Sequence, residues 1–128
     1  MAAFDNVRRM AADNEDIADF VVVYIEEAHP TDGWAFPDNH AIKQHVSLEE
    51  RISAATKLMQ LASPLPDNMA LAVDSMSNEL NVAYGGLFER LYVIQQSRVA
   101  YQGQRGPIGF QPEEVDAWLK TYRDTLRA

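Results

Sequence analysis

The sequence predicts an α/β domain, because segments with strand character alternate with amphipathic helices before a hairpin and a closing helix. Residues 19–26 form a nearly uninterrupted apolar run rich in β-branched valine, which is typical of a parallel strand covered on both faces. With 128 residues, of which 47% are hydrophobic, the chain is long enough for one domain with its own core and too short for two. We therefore expect a single domain over residues 1–128.

The first half of the chain predicts a helix, a strand, a loop and a second helix. A helix over residues 2–14 follows from apolar positions at helical spacing: Phe4, Val7, Met10 and Ala11. After the strand, residues 29–46 contain the proline and Asp-Gly signals of a loop. Ser47 and Glu50 predict a capping box, in which the Ser47 hydroxyl accepts from the Glu50 amide and the Glu50 side chain reaches back. The helix that follows should end before Pro64 and bury Leu48, Ile52, Ala55, Leu58, Met59 and Ala62.

The second half predicts a short strand, a helical turn, a hairpin and a final helix. The strand covers residues 69–74 and ends in an acid, and a helical turn falls within residues 77–85. A hairpin of residues 91–95 and 98–102 would turn at Gln96-Ser97, without the usual glycine. The final helix starts with Pro112 and two glutamates, which suit the positive end of the helix dipole. Its predicted apolar face is Val115, Trp118, Leu119, Tyr122 and Leu126. Further aromatic residues expected in the core are Tyr84, Phe88 and Tyr92.

This order of elements is similar to the later part of a thioredoxin-like fold. The formal net charge of −8 and the scattered basic residues disfavour nucleic acid as a partner. No apolar run approaches ~20 residues and no secretory signal is recognisable, so the chain is predicted to be cytoplasmic. Cysteine is absent, which excludes a disulfide or a thiol nucleophile within these residues.

Polar groups stand where the 19–26 strand must end, the edge at which open α/β sheets place their sites. His29 is either a proton donor and ligand contact or a solvated loop histidine. Glu26 and Glu27 point to opposite faces, and Trp34 is either a lid over the loop or the wall of an aromatic pocket. A zinc site is the other possibility considered, from His29, His40, His45, Asp32 and Asp38. Their spacing matches no established ligand pattern, so we predict no metal.

Four longer motifs carry a family resemblance. The segments YIEEAHPTDGW, QHVSLEERISAA, AYGGLFERLYVI and YQGQRGPIGF resemble the iodothyronine deiodinases, in the right order over roughly residues 3–127. Within that family the likeness is greatest to the type 3 members, which remove iodine from the inner ring of thyroid hormones.

The resemblance implies a thioredoxin-like fold that is incomplete at its N-terminus. The family's selenocysteine nucleophile lies in a loop after the first core strand, just before a helix that matches residues 2–14 here. We therefore expect the nucleophile to be encoded upstream of Met1 and this chain to be inactive as written. Without the first core strand, the strands at 20–26 and 91–95 would stand two strand spacings apart, roughly 10 Å. The isolated chain is then expected to be unstable, or to have a rearranged sheet or one completed by another chain.

The resemblance also implies roles for particular residues. Arg105 would hold the amino-acid end of an iodothyronine and His29 its phenol. Tyr24, Glu27 and His45 would form a network that feeds protons to the site. Glu89 stands where thioredoxin-like folds commonly have a cis-proline, and it would join this network; the alternative is a surface pair with Arg90.

Three functions follow in order of preference. The first is a deiodinase-like protein that uses a thiol reductant and no other cofactor, whose complete relatives are usually membrane-anchored dimers. The second is a non-catalytic thioredoxin-like module that binds an iodothyronine or another aromatic ligand through His29 and Arg105. The third is a fragment of a redoxin-like thiol oxidoreductase that acts on another substrate.

Overall fold

A computed structural model describes residues 2–25, 45–62, 64–86, 89–106 and 109–127. Its elements in chain order are α1 (Ala2–Asp13), β1 (Phe20–Tyr24), α2 (Leu48–Ala62), β2 (Met69–Val73), α3 (Glu79–Tyr84), β3 (Tyr92–Gln95), β4 (Arg98–Gln102) and α4 (Pro112–Arg127). This mixture of helices and small sheets confirms the α/β class and the predicted order of elements. Among the helices of these ranges, none is both long and apolar enough to cross a bilayer.

The strands form two separate two-stranded sheets. β1 runs parallel to β2, in a register that pairs Phe20 with Met69 and Tyr24 with Val73. β3 and β4 form the predicted antiparallel hairpin. Gln96 and Ser97 at its turn both have positive φ, 52° and 63°, as a type I′ turn requires even in the absence of glycine. No backbone ladder joins the two sheets within the described ranges, so they do not form one contiguous sheet there.

The helices α1 and α4 connect the two sheets through a shared apolar core. Val7 and Ala11 of α1 pack with Met69 of β2, next to Phe20 and Val22 of β1. On a neighbouring face of α1, a second cluster contains Met10, Val115 and Leu119 with Val93 and Tyr101 of the hairpin against it. The helical spacing read from the sequence therefore places α1 correctly, because its apolar positions fall on the side that both sheets contact.

One expectation about burial is wrong and a second is met only in part. Val21 and Val23 of β1 are exposed, Val21 to 65%, so this strand is covered on one face and not on both. In α2 the predicted apolar residues Leu48, Ile52 and Met59 are exposed, whereas Ala55 of the same stripe is buried together with Arg51 and Ala54. The helix is turned so that Arg51 reaches polar partners in the interior, which moves the apolar stripe partly into solvent.

The aromatic and capping predictions are met in part. Tyr84 is exposed rather than in the core, and so is Leu126 of the predicted α4 face. Phe88 lies outside the described residues. The Glu50 amide donates to the Ser47 hydroxyl at 3.2 Å, as predicted. The Glu50 carboxylate, however, accepts from the amide of Val46 at 2.7 Å, one residue earlier than a capping box requires.

Candidate functional site

The short helix α3 has a buried carboxylate at its start. Asp74 follows β2 directly and is 1% exposed. Its Oδ1 accepts from the amides of Ser75 and Leu80 at 2.9 and 3.0 Å. Its Oδ2 accepts from the amide of Asn81 at 2.9 Å. A carboxylate at this position satisfies amides that the first helical turn leaves without partners and complements the positive end of the helix dipole.

A buried arginine lies beside the loop that leads into α3. Arg51 of α2 is 2% exposed. Its Nη1 donates to the carbonyl of Ser75 at 2.7 Å and to the side-chain oxygen of Asn78 at 3.1 Å. Asn78 is the N-cap residue of α3 in a left-handed conformation, with φ 57°, and its side chain makes no capping hydrogen bond. Arg51 therefore occupies the side-chain oxygen of Asn78, which would otherwise be available to cap the helix.

Two of the predicted relay residues lie together next to this arginine. The Nε of Arg51 donates to Nδ1 of His45 at 3.0 Å, and His45 is 6% exposed. The His45 ring is 5.5 Å from the ring of Tyr24, the last residue of β1, with an angle of 40° between the ring planes. The cluster thus forms at the carboxyl ends of the parallel strands β1 and β2, where the sequence predicts a site.

A second arginine closes the other end of α3. The Nε of Arg90 donates to the carbonyl of Gly103 at 2.8 Å. Its Nη1 donates to the carbonyls of Tyr84 and Gly85 at 3.2 and 3.4 Å. The guanidinium also lies over the Tyr92 ring, 5.3 Å from its centre. A cation that donates to the last carbonyls of a helix complements the negative end of its dipole.

Arg105, the predicted substrate-binding residue, approaches Arg90 at Gly85. A Cβ added to Gly85 would lie 2.8 Å from Nη2 of Arg105 and 2.8 Å from Nη1 of Arg90. The distance between Nη2 of Arg105 and Nη1 of Arg90 is therefore at most twice 2.8 Å. Gly85 ends α3 with φ 59°, a conformation that glycine adopts without strain. The Arg105 side chain is exposed, and its guanidinium forms no hydrogen bond or ion pair with the residues that the structure describes.

Glu89 belongs to this same region. Its carbonyl accepts from the amide of Gly106 at 2.8 Å, and a Cβ on Gly106 would lie 2.9 Å from its Oε2. The alternative of a Glu89–Arg90 surface pair is not found among the described contacts, because Nε and Nη1 of Arg90 donate to carbonyls. Glu89 and Arg105 are thus brought close in the fold, but no described contact links them to Tyr24 and His45.

The remaining predicted site residues, Glu27, His29 and Trp34, lie outside the described residues. Their roles stay predictions. In the described ranges, no group of three or more histidine, aspartate and glutamate side chains is placed to hold a metal ion.

The sequence prediction did not include Arg51, Arg90 and Gly85, and it noted Asp74 only as an acid that ends a strand. No local signal marks Arg51, because its partners Ser75 and Asn78 are distant from it in the sequence.

Comparison with known proteins decides the family. A family model described as iodothyronine deiodinase matches residues 1–123. The chain belongs to the iodothyronine deiodinase family. The thyroxine 5-deiodinase of Gallus gallus is 48% identical to it over 129 residues, which cover 100% of this chain and 48% of that protein. The thyroxine 5-deiodinases of Bos taurus and Homo sapiens are each 45% identical over 127 residues, which cover 98% of this chain and 41% and 40% of theirs.

Two consequences follow for this family member. The resemblance read from the four sequence motifs is confirmed, because the match extends over nearly the whole chain. The chain also spans about half, or less, of the length of the curated relatives it matches.

Proposed function

We propose that this chain is the larger part of the catalytic domain of a deiodinase that acts on the inner ring of thyroid hormone. The reaction is a reductive deiodination, in which the aromatic C–I bond is replaced by C–H and iodide leaves. The two electrons come from a thiol reductant, which is oxidised to a disulfide. The proton that enters the ring makes a proton-delivering network necessary.

The nucleophile of this reaction is not among these 128 residues. Reductive deiodination needs a soft nucleophile to take the iodine, and the sequence contains neither cysteine nor selenocysteine. We propose that a selenocysteine outside this sequence supplies it, within a thioredoxin-like fold of which these elements form the later part. On this proposal the chain by itself releases no iodide.

The residues present would bind and protonate the substrate. Tyr24 and His45, with Glu27, form the proton network in this proposal, and the contact between the Tyr24 and His45 rings supports it. Arg105 binds the carboxylate of the amino-acid end, for which a planar fork of donors is well suited. Its exposed guanidinium, which has no described partner, supports that role. His29 binds the phenol and Trp34 faces the aromatic ring.

The observation that carries the proposal is the match to iodothyronine deiodinases over residues 1–123. The test is release of radioactive iodide from labelled thyroxine by the protein translated from its complete transcript, with a thiol reductant present. We expect release that depends on an upstream selenocysteine or cysteine codon, and none from the 128-residue chain. If the longer protein neither releases iodide nor binds the hormone, the redoxin-like alternative is favoured; if it binds the hormone without release, the binding module is favoured.

A second function, a binding module without catalysis, is favoured by the absence of any thiol in the chain. Calorimetric titration of the 128-residue chain with thyroxine tests it. Arg105→Ala should weaken binding about 10-fold or more, because the carboxylate loses a charged donor. Arg98→Ala is the matched control: it removes an exposed arginine at the opposite end of β4 and should leave the affinity unchanged. A folded chain that shows no heat of binding would eliminate this function.

A further inference from the structure

The contact between Arg51 and His45 fixes where the imidazole carries its proton. The Nε of Arg51 lies 3.0 Å from Nδ1 of His45 and donates to it. A guanidinium has donors only and is not deprotonated in proteins, so Nδ1 must be the acceptor in this hydrogen bond. A neutral imidazole has a single N–H, which is then on Nε2.

Arg51 is itself held in place, so this contact is part of the interior. Its Nη1 donates to the Ser75 carbonyl at 2.7 Å and to the Asn78 side chain at 3.1 Å. Only 2% of Arg51 is exposed, which leaves no route for its guanidinium to turn into solvent. The helix α2 and the loop before α3 therefore fix the guanidinium, and the guanidinium fixes the ring.

We propose that Arg51 is a positioning residue that holds His45 as the neutral tautomer with its proton on Nε2. Its catalytic meaning rests on the proposed function. A histidine that passes a proton through its ring takes it up at one nitrogen and releases it from the other. Because Arg51 occupies Nδ1, His45 contributes to the network as a hydrogen-bond donor through Nε2, which orients the neighbouring proton carrier, and it does not shuttle protons across its ring.

The charged and titratable groups that the structure describes near His45 agree with this assignment. Arg51 from α2 opposes a second positive charge on the ring, because like charges disfavour ionisation. Tyr24 from β1 presents its ring 5.5 Å away. The carboxylate of Asp74, which could otherwise stabilise an imidazolium, accepts from three backbone amides of residues 75, 80 and 81.

Nuclear magnetic resonance of the chain labelled with 15N in histidine and arginine tests the tautomer directly. His45 is assigned as the signal lost in His45→Gln. We expect a protonated Nε2, an unprotonated Nδ1 and a scalar coupling across the hydrogen bond from Arg51 Nε to His45 Nδ1. A proton on Nδ1, or a missing coupling in the folded protein, would overturn the proposal without any variant.

Two substitutions separate positioning from general packing. Arg51→Gln removes the charged donor, and we expect His45 to populate both neutral tautomers. Asn78→Ala is the control, because it removes a partner of Nη1 and leaves the Nε contact in place; the His45 pattern should be unchanged. Where Arg51→Gln does not fold, the wild-type coupling decides. An unchanged His45 pattern in folded Arg51→Gln contradicts the proposal.

The catalytic consequence is tested in the protein translated from the complete transcript. Gln carries an amide donor near the position of Nε2, whereas Leu carries none. Both variants should lower iodide release, because His45 belongs to the proposed proton network, but His45→Leu should lower it about 10²-fold or more and His45→Gln less, since only Gln keeps a hydrogen-bond donor near the position of Nε2. Equal loss in both variants would indicate a shuttle through the ring and contradict the proposal. If no form releases iodide while the resonance pattern holds, the proposed function fails and the tautomer assignment stands.

Discussion

The two ends of α3 hold two arginine clusters that differ chiefly in their access to water. At the start, Arg51 is buried and donates to His45, to backbone carbonyls and to Asn78. At the end, Arg105 is exposed beside Gly85, and its guanidinium has no partner among the described residues. A buried cation persists only when its donors are satisfied, whereas an exposed one remains available for a ligand. The buried Arg51 therefore stabilises the interior at the start of α3, whereas the exposed Arg105 at its end is available to bind a carboxylate.

The helix between these clusters depends on them. α3 has six residues, and a helix of that length is not stable on its own. The carboxylate of Asp74 accepts from its first amides, and the guanidinium of Arg90 donates to its last carbonyls. These charges at both ends stabilise the helix. The helix in turn fixes the separation between Arg51, with its neighbour His45, and the predicted substrate-binding residue Arg105.

The largest effect should separate the two arginines. Arg51→Ala should lower the free energy of unfolding by about 3 kcal/mol or more, because it leaves several buried acceptors without donors. Arg105→Ala should change it by about 0.5 kcal/mol or less, since the side chain is exposed. Urea denaturation measures both. Similar losses in the two variants would show that the clusters do not differ as described.

Asp74→Asn tests the start of α3. The amide that replaces one carboxylate oxygen would place a donor against the backbone amide of residue 81 or 80, and about 1–3 kcal/mol of stability should be lost. Glu79→Gln is the matched control in the first turn of the same helix, where the side chain is exposed. It should stay within about 0.5 kcal/mol of the wild type. Thermal unfolding of the two variants measures the difference, and an Asp74→Asn protein as stable as Glu79→Gln would contradict the role of the buried carboxylate.

Gly85→Ala tests the end of α3. A side chain there is strained by the positive φ and would occupy the space of both guanidinium groups, so we expect a loss of about 1–2 kcal/mol. Gly86→Ala is its control, since the nearest atom to an added Cβ is the Asn81 side-chain oxygen at 3.4 Å. Gly85→Ala should also weaken thyroxine binding in calorimetry, and Gly86→Ala should not. Equal stability of the two variants would contradict the close approach of Arg90 and Arg105 to Gly85.

The smallest effect concerns Arg123, a half-buried arginine whose partner is an exposed aspartate. Arg123 of α4 forms an ion pair with Asp16, and its hydrogen bond holds the pKa of that carboxyl below its usual value. Because the folded-state pKa is the lower one, the pair stabilises the fold above the unfolded pKa of about 4, and this contribution is lost as the pH falls through the folded value. Asp16→Asn should therefore lower the unfolding midpoint slightly at about pH 7 and not at about pH 2. A difference that persists undiminished in acid would contradict the assignment.

Several elements of the fold were predictable because their signals are local. The helical spacing of Val7, Met10 and Ala11 determined the buried side of α1, and the positive-φ turn at Gln96-Ser97 agreed with the predicted hairpin. Local signals failed for α2, where the apolar stripe favoured Leu48 and Ile52 as buried residues. The error arose because Arg51 binds groups distant in sequence, and no periodicity within the helix reports on such partners.

The candidate site divides in the same way. Tyr24 and His45 were named from motifs, and the structure places their rings 5.5 Å apart. Glu89 and Arg105 were also named, but their closeness to Gly106 and Gly85 comes from the return of the chain after the hairpin.

The sequence by itself determined the family, the order of helices and strands, and the absence of a thiol nucleophile from these residues. These properties depend on residue identity and short-range spacing, which the sequence contains in full. Only the tertiary structure decided that α2 turns its arginine inward, that Asp74 and Arg90 cap the two ends of α3, and that Arg51 sets the tautomer of His45. Each of these depends on the free energy of satisfying buried polar groups from distant segments, which is defined only once the chain has folded.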